Sequence, residues 1–314
     1  FVRITSTLIF ISALMALLYY WKIMPRVVQA MAWVMHRVMR TGGRESLVAA
    51  ANVFVGMIEA PLFVRPYLAE MTRSELAALM ITGLATIAGS VMAVYVGFGI
   101  NAGHLMTASV MSAPAALVIA KMIVPDAPDA VRAGLLYEAR LHERAGSAFD
   151  AITTGARDGL FLALNVCAML IAVVALIALL NAVLGVVGRW CHGPNLTLEL
   201  LFGYVGWPFG LLMGVEPREA HSVGELLATK IFFTEFIAYK ELAARASALT
   251  PRTVTIATYA CCGFANFGSV AILIGGLSSL APTRLQEVTQ LALKALIGGA
   301  LASFCTAAIA GMLL

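Results

Sequence analysis

Two carboxylates stand where charge is scarce. Glu59 lies in residues 53–68, VFVGMIEAPLFVRPYL, with Pro61 and Pro66 beyond it and Arg65 between the prolines; Glu235 lies in residues 232–242, FFTEFIAYKEL. An acid among apolar residues is costly unless it is hydrogen-bonded or paired, and inside a membrane it marks a functional site by default. Its oxygens accept hydrogen bonds. The chemistry on offer is recognition of hydroxyl or ring N–H donors, or attraction of a cation. Nucleophilic catalysis is a poor fit, because the hydroxyls near Glu59 lack a base with an orienting partner. The competing reading is structural: an acid that caps a helix N-terminus or pairs with a base such as Arg65. His104, at the start of an apolar span, reads as an interfacial histidine or as a proton-coupling group.

The elements that must position these acids are membrane helices. The chain of 314 residues is 61% hydrophobic and 12% charged, with a mean hydropathy of +0.90, whereas soluble domains carry about 25% charged residues. Residues 4–21, 76–120, 159–187, 253–283 and 295–314 contain no Asp, Glu, Lys or Arg. A bilayer crossing needs about 20 mostly apolar residues, so 76–120 holds two, with a break at Gly99-Ile100-Asn101-Ala102-Gly103. A net charge of +4, spread along the chain, points to no nucleic acid. The cysteines Cys167, Cys191, Cys261, Cys262 and Cys305 show no C-x-x-C spacing and read as reduced packing residues, with no zinc or disulfide framework. The chain begins at Phe1, without Met or a signal-peptide pattern, so residues upstream are expected. Asn195-Leu196-Thr197 fits the glycosylation pattern only weakly.

The order of segments repeats. Glu59 is followed by MTRSELAALMITGLATIAGSV at 71–91; Glu235 is followed by LTPRTVTIATYACCGFANFGSV at 249–270. Gly83-Leu84-Ala85-Thr86-Ile87 aligns with Gly263-Phe264-Ala265-Asn266-Phe267, and Gly-Ser-Val closes both at 89–91 and 268–270. Each copy reads as a short acid-bearing hairpin, a polar turn and a crossing interrupted by glycine and a polar side chain. An odd number of crossings separates the copies, so one is inverted, as in secondary transporters. Interrupted helices free backbone groups at mid-membrane depth, which only protein or a ligand cavity satisfies. Glu59 and Glu235 are therefore expected at hairpin tips facing a common cavity. The fold class expected is an all-α polytopic membrane protein with inverted repeats, two re-entrant helical hairpins and two broken transmembrane helices. With the first crossing running inward, thirteen Lys and Arg face the cytoplasm against six outside, Lys230 among the six, the asymmetry that orients membrane proteins.

AANVFVGMIEAPLFVRPYLAEMTRSEL, GLATIAGSV, TASVMSAPAALVIAKM, TEFIAYKEL and CGFANFGSVAILIGGLSSLAP together resemble the concentrative nucleoside transporters, over essentially the whole chain. The resemblance is to a bacterial member lacking the N-terminal helices. It implies a multi-pass inner-membrane homotrimer that moves nucleosides into the cell by an elevator mechanism, coupled to Na⁺, with no enzymatic cofactor. Under it the chain divides into a scaffold helix at 1–24, an interfacial amphipathic helix at 25–40, a first transport repeat at 41–124, a cytoplasmic loop at 125–158, a scaffold helix at 159–187, an interfacial segment at 188–219 and a second transport repeat at 220–314. The sodium ligands it implies are the Asn52 side chain, the Val55 carbonyl, the Thr86 hydroxyl and the Ile87 carbonyl, all hard oxygens. It assigns the sugar to Glu235, Asn266 and Ser269, with Phe264 and Val91 also lining the substrate, and the base to residues 56–59. There the family commonly has Gly-Gln-(Thr/Ser)-Glu, and this chain has Gly56-Met57-Ile58-Glu59. Met57 and Ile58 offer no donor, so the base is read loosely or a different nucleoside-like solute is carried. Thr234 stands where relatives often have Asn. Proton coupling through Glu59, Glu235 or His104 is the alternative within transport; a gated pore or membrane receptor would use the same cavity.

Overall fold

The computed structural model describes residues 2–127, 146–190 and 197–314. Every regular element among them is helical. Cys191, the Asn195 pattern and most charges of the 125–158 segment lie outside the described residues.

Helix α1 (Val2–Tyr20) and α2 (Ile23–Met39) meet at a bend of 77°. The bend falls at Lys22, whose backbone is left-handed. Helix α2 buries Met24, Val28, Ala32 and Met35, a single stripe at helical spacing, and sets Arg26, Arg37 and Trp33 on the other side. Next comes α3 (Gly43–Asn52), buried except at Arg44. The chain turns through 53–59 into a 3₁₀ segment, Ala60–Tyr67, opened by Pro61 and carrying Pro66 inside. Proline removes an amide donor and stops an ordinary helix from running on, so this arm stays short.

Helix α4 (Arg73–Ala85) starts on a reciprocal cap: Thr72 Oγ1 accepts from the Glu75 amide at 3.1 Å, and Glu75 accepts from the Thr72 amide at 2.9 Å. It stops at 86–88, where Thr86 and Ala88 are extended, and resumes as α5 (Gly89–Gly97). Helix α6 (Ala102–Ile123) is capped by Asn101, which accepts from the amides of Gly103 and His104. The second half runs in the same order. It comprises α7 (Ala148–Trp190), α8 (Leu198–Leu212), α9 (Pro217–Ala228), a π-turn at Thr229–Phe233, α10 (Glu235–Arg245), α11 (Pro251–Cys261), α12 (Phe267–Leu280) and α13 (Leu285–Leu313).

Among the described residues three stretches, Arg73–Gly97, Ala102–Ile123 and Pro282–Leu313, are long and apolar enough to cross a membrane, or four if the bent α1–α2 pair counts as one. The protein is a multi-pass membrane protein. One boundary differs from expectation. Residues 148–158 belong to α7, not to a loop. Ser147 caps this helix, accepting from the Asp150 amide at 3.1 Å, and Asp150 accepts from the Gly146 amide at 3.0 Å. Charges on those first turns hide the helix from a hydropathy reading. The 43 residues of α7 span about 64 Å at 1.5 Å per residue, twice the roughly 30 Å of hydrocarbon, so its charged first turns extend beyond the membrane.

Packing explains the small residues. Gly155 and Gly159 of α7 bring its backbone onto α1, where an added Cβ would come within 3 Å of Ser12 and Leu8 carbonyl oxygens. Gly298 and Gly299 do the same for α13 against Ile81 and Leu84 of α4. Two apolar cores result, one around α3, α4, α6 and α13 and the other around α5 and α9–α11; Phe264 and Phe304 pack against both. Arg284 ties the first hairpin to α13. Its Nη1 donates to the carbonyls of Leu68, Ala69 and Met71 at 3.2, 3.0 and 2.8 Å, and the guanidinium pairs with Glu287 at 2.6 Å. Arg284→Met is expected to lower thermal stability by about 2 kcal/mol, since three carbonyls lose a charged donor. An unchanged melting curve in detergent would contradict this.

Candidate functional site

The two interruptions cross each other. Gly263 has φ +139°, and a Cβ there would lie 2.8 Å from the Ala85 oxygen and 2.9 Å from that of Leu84. Only glycine takes that conformation at that distance. The next residue, Phe264, donates its amide to the Thr86 carbonyl at 3.3 Å. The end of α4 and the break at 262–266 are thus in direct contact.

Each hairpin docks on the interruption of its own half. In the first, the Gly89 amide at the start of α5 donates to the Phe54 carbonyl at 3.1 Å. Asn52 Nδ2 donates to Thr82 Oγ1 at 3.2 Å, and Thr86 Oγ1 donates to the Thr82 carbonyl at 2.9 Å. Asn52 is 1% exposed, yet its Oδ1 has no hydrogen-bond partner among the described residues. The carbonyls of Val55 and Ile87, on residues that are also buried, accept no hydrogen bond among the described residues. Unpaired buried acceptors are rare and call for an explanation. Oxygens without net charge, three of them unused, suit a small hard cation.

In the second half, Glu235 is the first residue of α10 and 5% exposed. Its Oε2 accepts from Asn266 Nδ2 at 2.8 Å and from Thr234 Oγ1 at 3.2 Å, and its Oε1 accepts from Tyr95 Oη at 3.0 Å. Asn266 caps α12, its Oδ1 accepting from the Ser269 amide at 2.7 Å. A carboxylate has about four acceptor positions, so three donors leave room for one more. Tyr95 was not legible as a partner: it lies 140 residues from Glu235 in an uncharged span, and only the fold brings its hydroxyl there.

The two acids are not equivalent. Glu59 is exposed, and its Oε2 accepts from the Gly56 amide at 3.1 Å; Glu235 is enclosed. The difference follows from local structure, since Glu59 precedes a 3₁₀ arm in a loose turn whereas Glu235 opens a buried α-helix. Met57 is buried, with its Cβ against Gly83; Ile58 is exposed and faces Gly276 of α12. Val91 is buried on α5, and Phe264 is half-buried between the two cores. His104 lies beside Tyr259, ring centroids 5.8 Å apart.

Lys230, counted among the six bases outside, is 0% exposed inside the second hairpin, and its Nζ donates to the Ala260 carbonyl at 2.8 Å. The π-turn at Thr229–Phe233 swings it inward. A crevice of about 290 Å³ lies elsewhere, between α8, the tip of the second hairpin and α13; its lining, including Phe209, Phe232, Phe267, Leu293 and Phe304, is apolar and offers a sugar nothing to bind.

Comparison with known proteins gives this architecture a family. Residues 104–311 match the model for the Na⁺-dependent nucleoside transporter C-terminus, and residues 1–102 match one for nucleoside recognition. The chain belongs to the Na⁺-dependent nucleoside transporter family. Its relatives are transporters and not enzymes. Solute carrier family 28 member 3 of Rattus norvegicus is 42% identical over 328 residues, covering 99% of this chain and 46% of the rat protein. This family chain therefore spans about half the length of such curated relatives. An uncharacterised transporter of Haemophilus influenzae is 44% identical over 317 residues, 99% of this chain and 76% of that protein. The nucleoside-transporter fold is matched by CNTnw in an inward-facing substrate-bound state, with a TM-score of 0.93, 40% identity, and coverage of 99% of this chain and 74% of that one.

Proposed function

We propose that the chain is the transport core of a cation-coupled nucleoside symporter, with Na⁺ as the coupling ion, working as an inner-membrane homotrimer. The observation that carries the reading is the unpartnered Asn52 Oδ1, buried in the first hairpin against the end of α4. With the Val55 and Ile87 carbonyls and the Thr86 hydroxyl it forms an oxygen set that a Na⁺ would complete. The ion would fix the first hairpin on the crossing of the breaks, and through the Phe264–Thr86 contact it would order the break that presents Asn266. Glu235, Asn266 and Ser269 would then take the ribose hydroxyls, with Phe264 against the ligand. Gly56, Met57, Ile58, Glu59 and Val91 would form the base end, apolar at Met57 and Ile58, so base discrimination by hydrogen bonds is weak.

The element order α1–α6, repeated as α7–α13, supports two inverted repeats with re-entrant hairpins and broken crossings. Motion of one body against another is supported by CNTnw, which has been observed in inward-facing, intermediate and outward-facing states. Helix α7 suits the fixed part and the subunit contact. It packs on α1 and leaves Phe161, Leu164, Ile171, Val174, Leu179 and Val183 exposed along its length.

Uridine uptake into proteoliposomes under an imposed Na⁺ gradient tests the reading. Concentrative, saturable uptake is expected. Uptake that follows pH and ignores Na⁺ would shift the coupling to protons, and ohmic single-channel currents would indicate a pore. Asn52→Leu removes the amide oxygen at similar volume and is expected to abolish Na⁺ stimulation; retained stimulation would show that the ion lies elsewhere.

A further inference from the structure

A residue outside the ligand set decides where Glu235 points its free acceptor position. Oε2 already takes two donors, Asn266 Nδ2 and Thr234 Oγ1, whereas Oε1 takes one, Tyr95 Oη at 3.0 Å. Each carboxylate oxygen has about two lone pairs, so the place left for a sugar hydroxyl is on Oε1, beside the Tyr95 hydroxyl. The terminal torsion of a glutamate is broad. Donors on Oε2 alone leave the carboxylate free to swing about that oxygen, and Oε1 is the atom that would move.

Tyr95 is packed so as to prevent that swing. It is 0% exposed. Its ring lies against Tyr239 and Phe236 of α10, at centroid distances of 4.3 and 6.2 Å, and against Phe98 at the end of α5, at 6.4 Å. Phe98 in turn meets Phe236 edge-on at 5.2 Å. Tyr239 is itself fixed, its Oη donating to the Thr258 carbonyl of α11 at 2.8 Å. The Tyr95 carbonyl accepts from the amides of Phe98 and Ile100 at 3.1 and 3.2 Å, which closes α5 at this point. A tyrosine side chain has few torsions to hold, and rings on these sides hold them. Its hydroxyl is thereby aimed at Oε1 from the other half of the molecule. We infer that Tyr95 is a positioning residue for the sugar: it fixes Oε1 of Glu235 so that a single ribose hydroxyl is read there. This inference rests on the assignment of the ribose to Glu235 above. An acceptor already held in place spares the ligand the cost of ordering it. Loss of the Tyr95 hydroxyl should therefore weaken binding only through the ligand hydroxyl that Oε1 accepts.

Tyr95→Phe keeps the ring and removes the hydroxyl. The test measures binding of uridine, 2′-deoxyuridine, 3′-deoxyuridine and 5′-deoxyuridine at one saturating Na⁺ concentration, on purified wild type, Tyr95→Phe, Phe98→Leu and Glu235→Gln. Tyr95→Phe is expected to lose about tenfold in affinity for uridine and for two of the deoxynucleosides. For the third, which lacks the hydroxyl held by Oε1, the change should stay within about twofold. Phe98→Leu keeps the Tyr95 hydroxyl but loosens the ring cluster, so the same pattern is expected at about threefold; it decides the matter if Tyr95→Phe does not fold. Equal losses for all four ligands mark a merely structural role and overturn the inference, and so does the absence of any loss. A Glu235→Gln variant that binds uridine as the wild type does would instead sink the sugar assignment, and this inference with it. A large loss in Glu235→Gln beside uniform losses in Tyr95→Phe strikes this inference alone.

Discussion

Glutamine in place of Glu235 is expected to weaken nucleoside binding about 100-fold, or ~3 kcal/mol, while Na⁺ still stabilises the purified protein. The carboxylate gathers three donors, from Tyr95, Asn266 and Thr234, and none of those partners can change places with it. Glutamine keeps the volume but turns one oxygen into an NH₂ group, which must then face a hydroxyl or the Asn266 amide donor. The charge that strengthens every bond in the cluster is lost as well. A ribose hydroxyl would meet a rearranged and weaker acceptor. The Na⁺ oxygens lie on the first hairpin and the first break, so thermal shifts induced by Na⁺ should persist. Uridine binding within about threefold of wild type, less than one charged hydrogen bond is worth, would remove Glu235 from the ligand set.

The second large effect is structural. Gly263→Ala is expected to abolish uptake and to lower stability by about 3 kcal/mol or more. The new Cβ would sit 2.8 Å from the Ala85 oxygen at a φ of +139°. The atoms it meets are backbone at the end of a buried helix, so no side-chain rotation relieves the overlap. The crossing of the breaks would have to open, carrying Phe264 and Asn266 away from Thr86 and Glu235. Gly275→Ala is the control, since a Cβ there meets nothing within 4 Å, and it should melt and transport as wild type does. Paired melting curves and uptake assays decide the matter; equal behaviour of the two variants would contradict the crossing.

How much of this was legible varies with the range of the interaction. The helices at 73–123 follow from a charge-free span with a polar break, and the structure ends α5 and caps α6 with Asn101 at that break. The start of α7 was missed although Ser147 and Asp150 stand at capping spacing, because the charges of the first turns outweighed that short signal. Both interrupted crossings were legible from glycine and polar residues in otherwise apolar runs. Their mutual contact was not, because it depends on a backbone amide of one meeting a carbonyl of the other.

The acids divide along the same line. Sequence alone marks Glu59 and Glu235 as equivalent, since each is a lone carboxylate in an apolar stretch. Burial separates them, and burial is set by neighbours distant in the chain: Tyr95 and Asn266 close over Glu235. Lys230 is a further case: its charge is plain in the sequence, but its burial and its bond to the Ala260 carbonyl follow from the fold.

What the sequence determined by itself is whatever depends on solvent and local geometry. Charge depletion demands a bilayer, and proline and glycine fix where helices stop. A repeated order of segments predicts a repeated architecture. The tertiary structure alone decided which freed polar groups meet. A broken helix must give its carbonyls and amides to something, and which amide, ammonium or unfilled oxygen arrives is a property of packing between segments that the chain holds far apart.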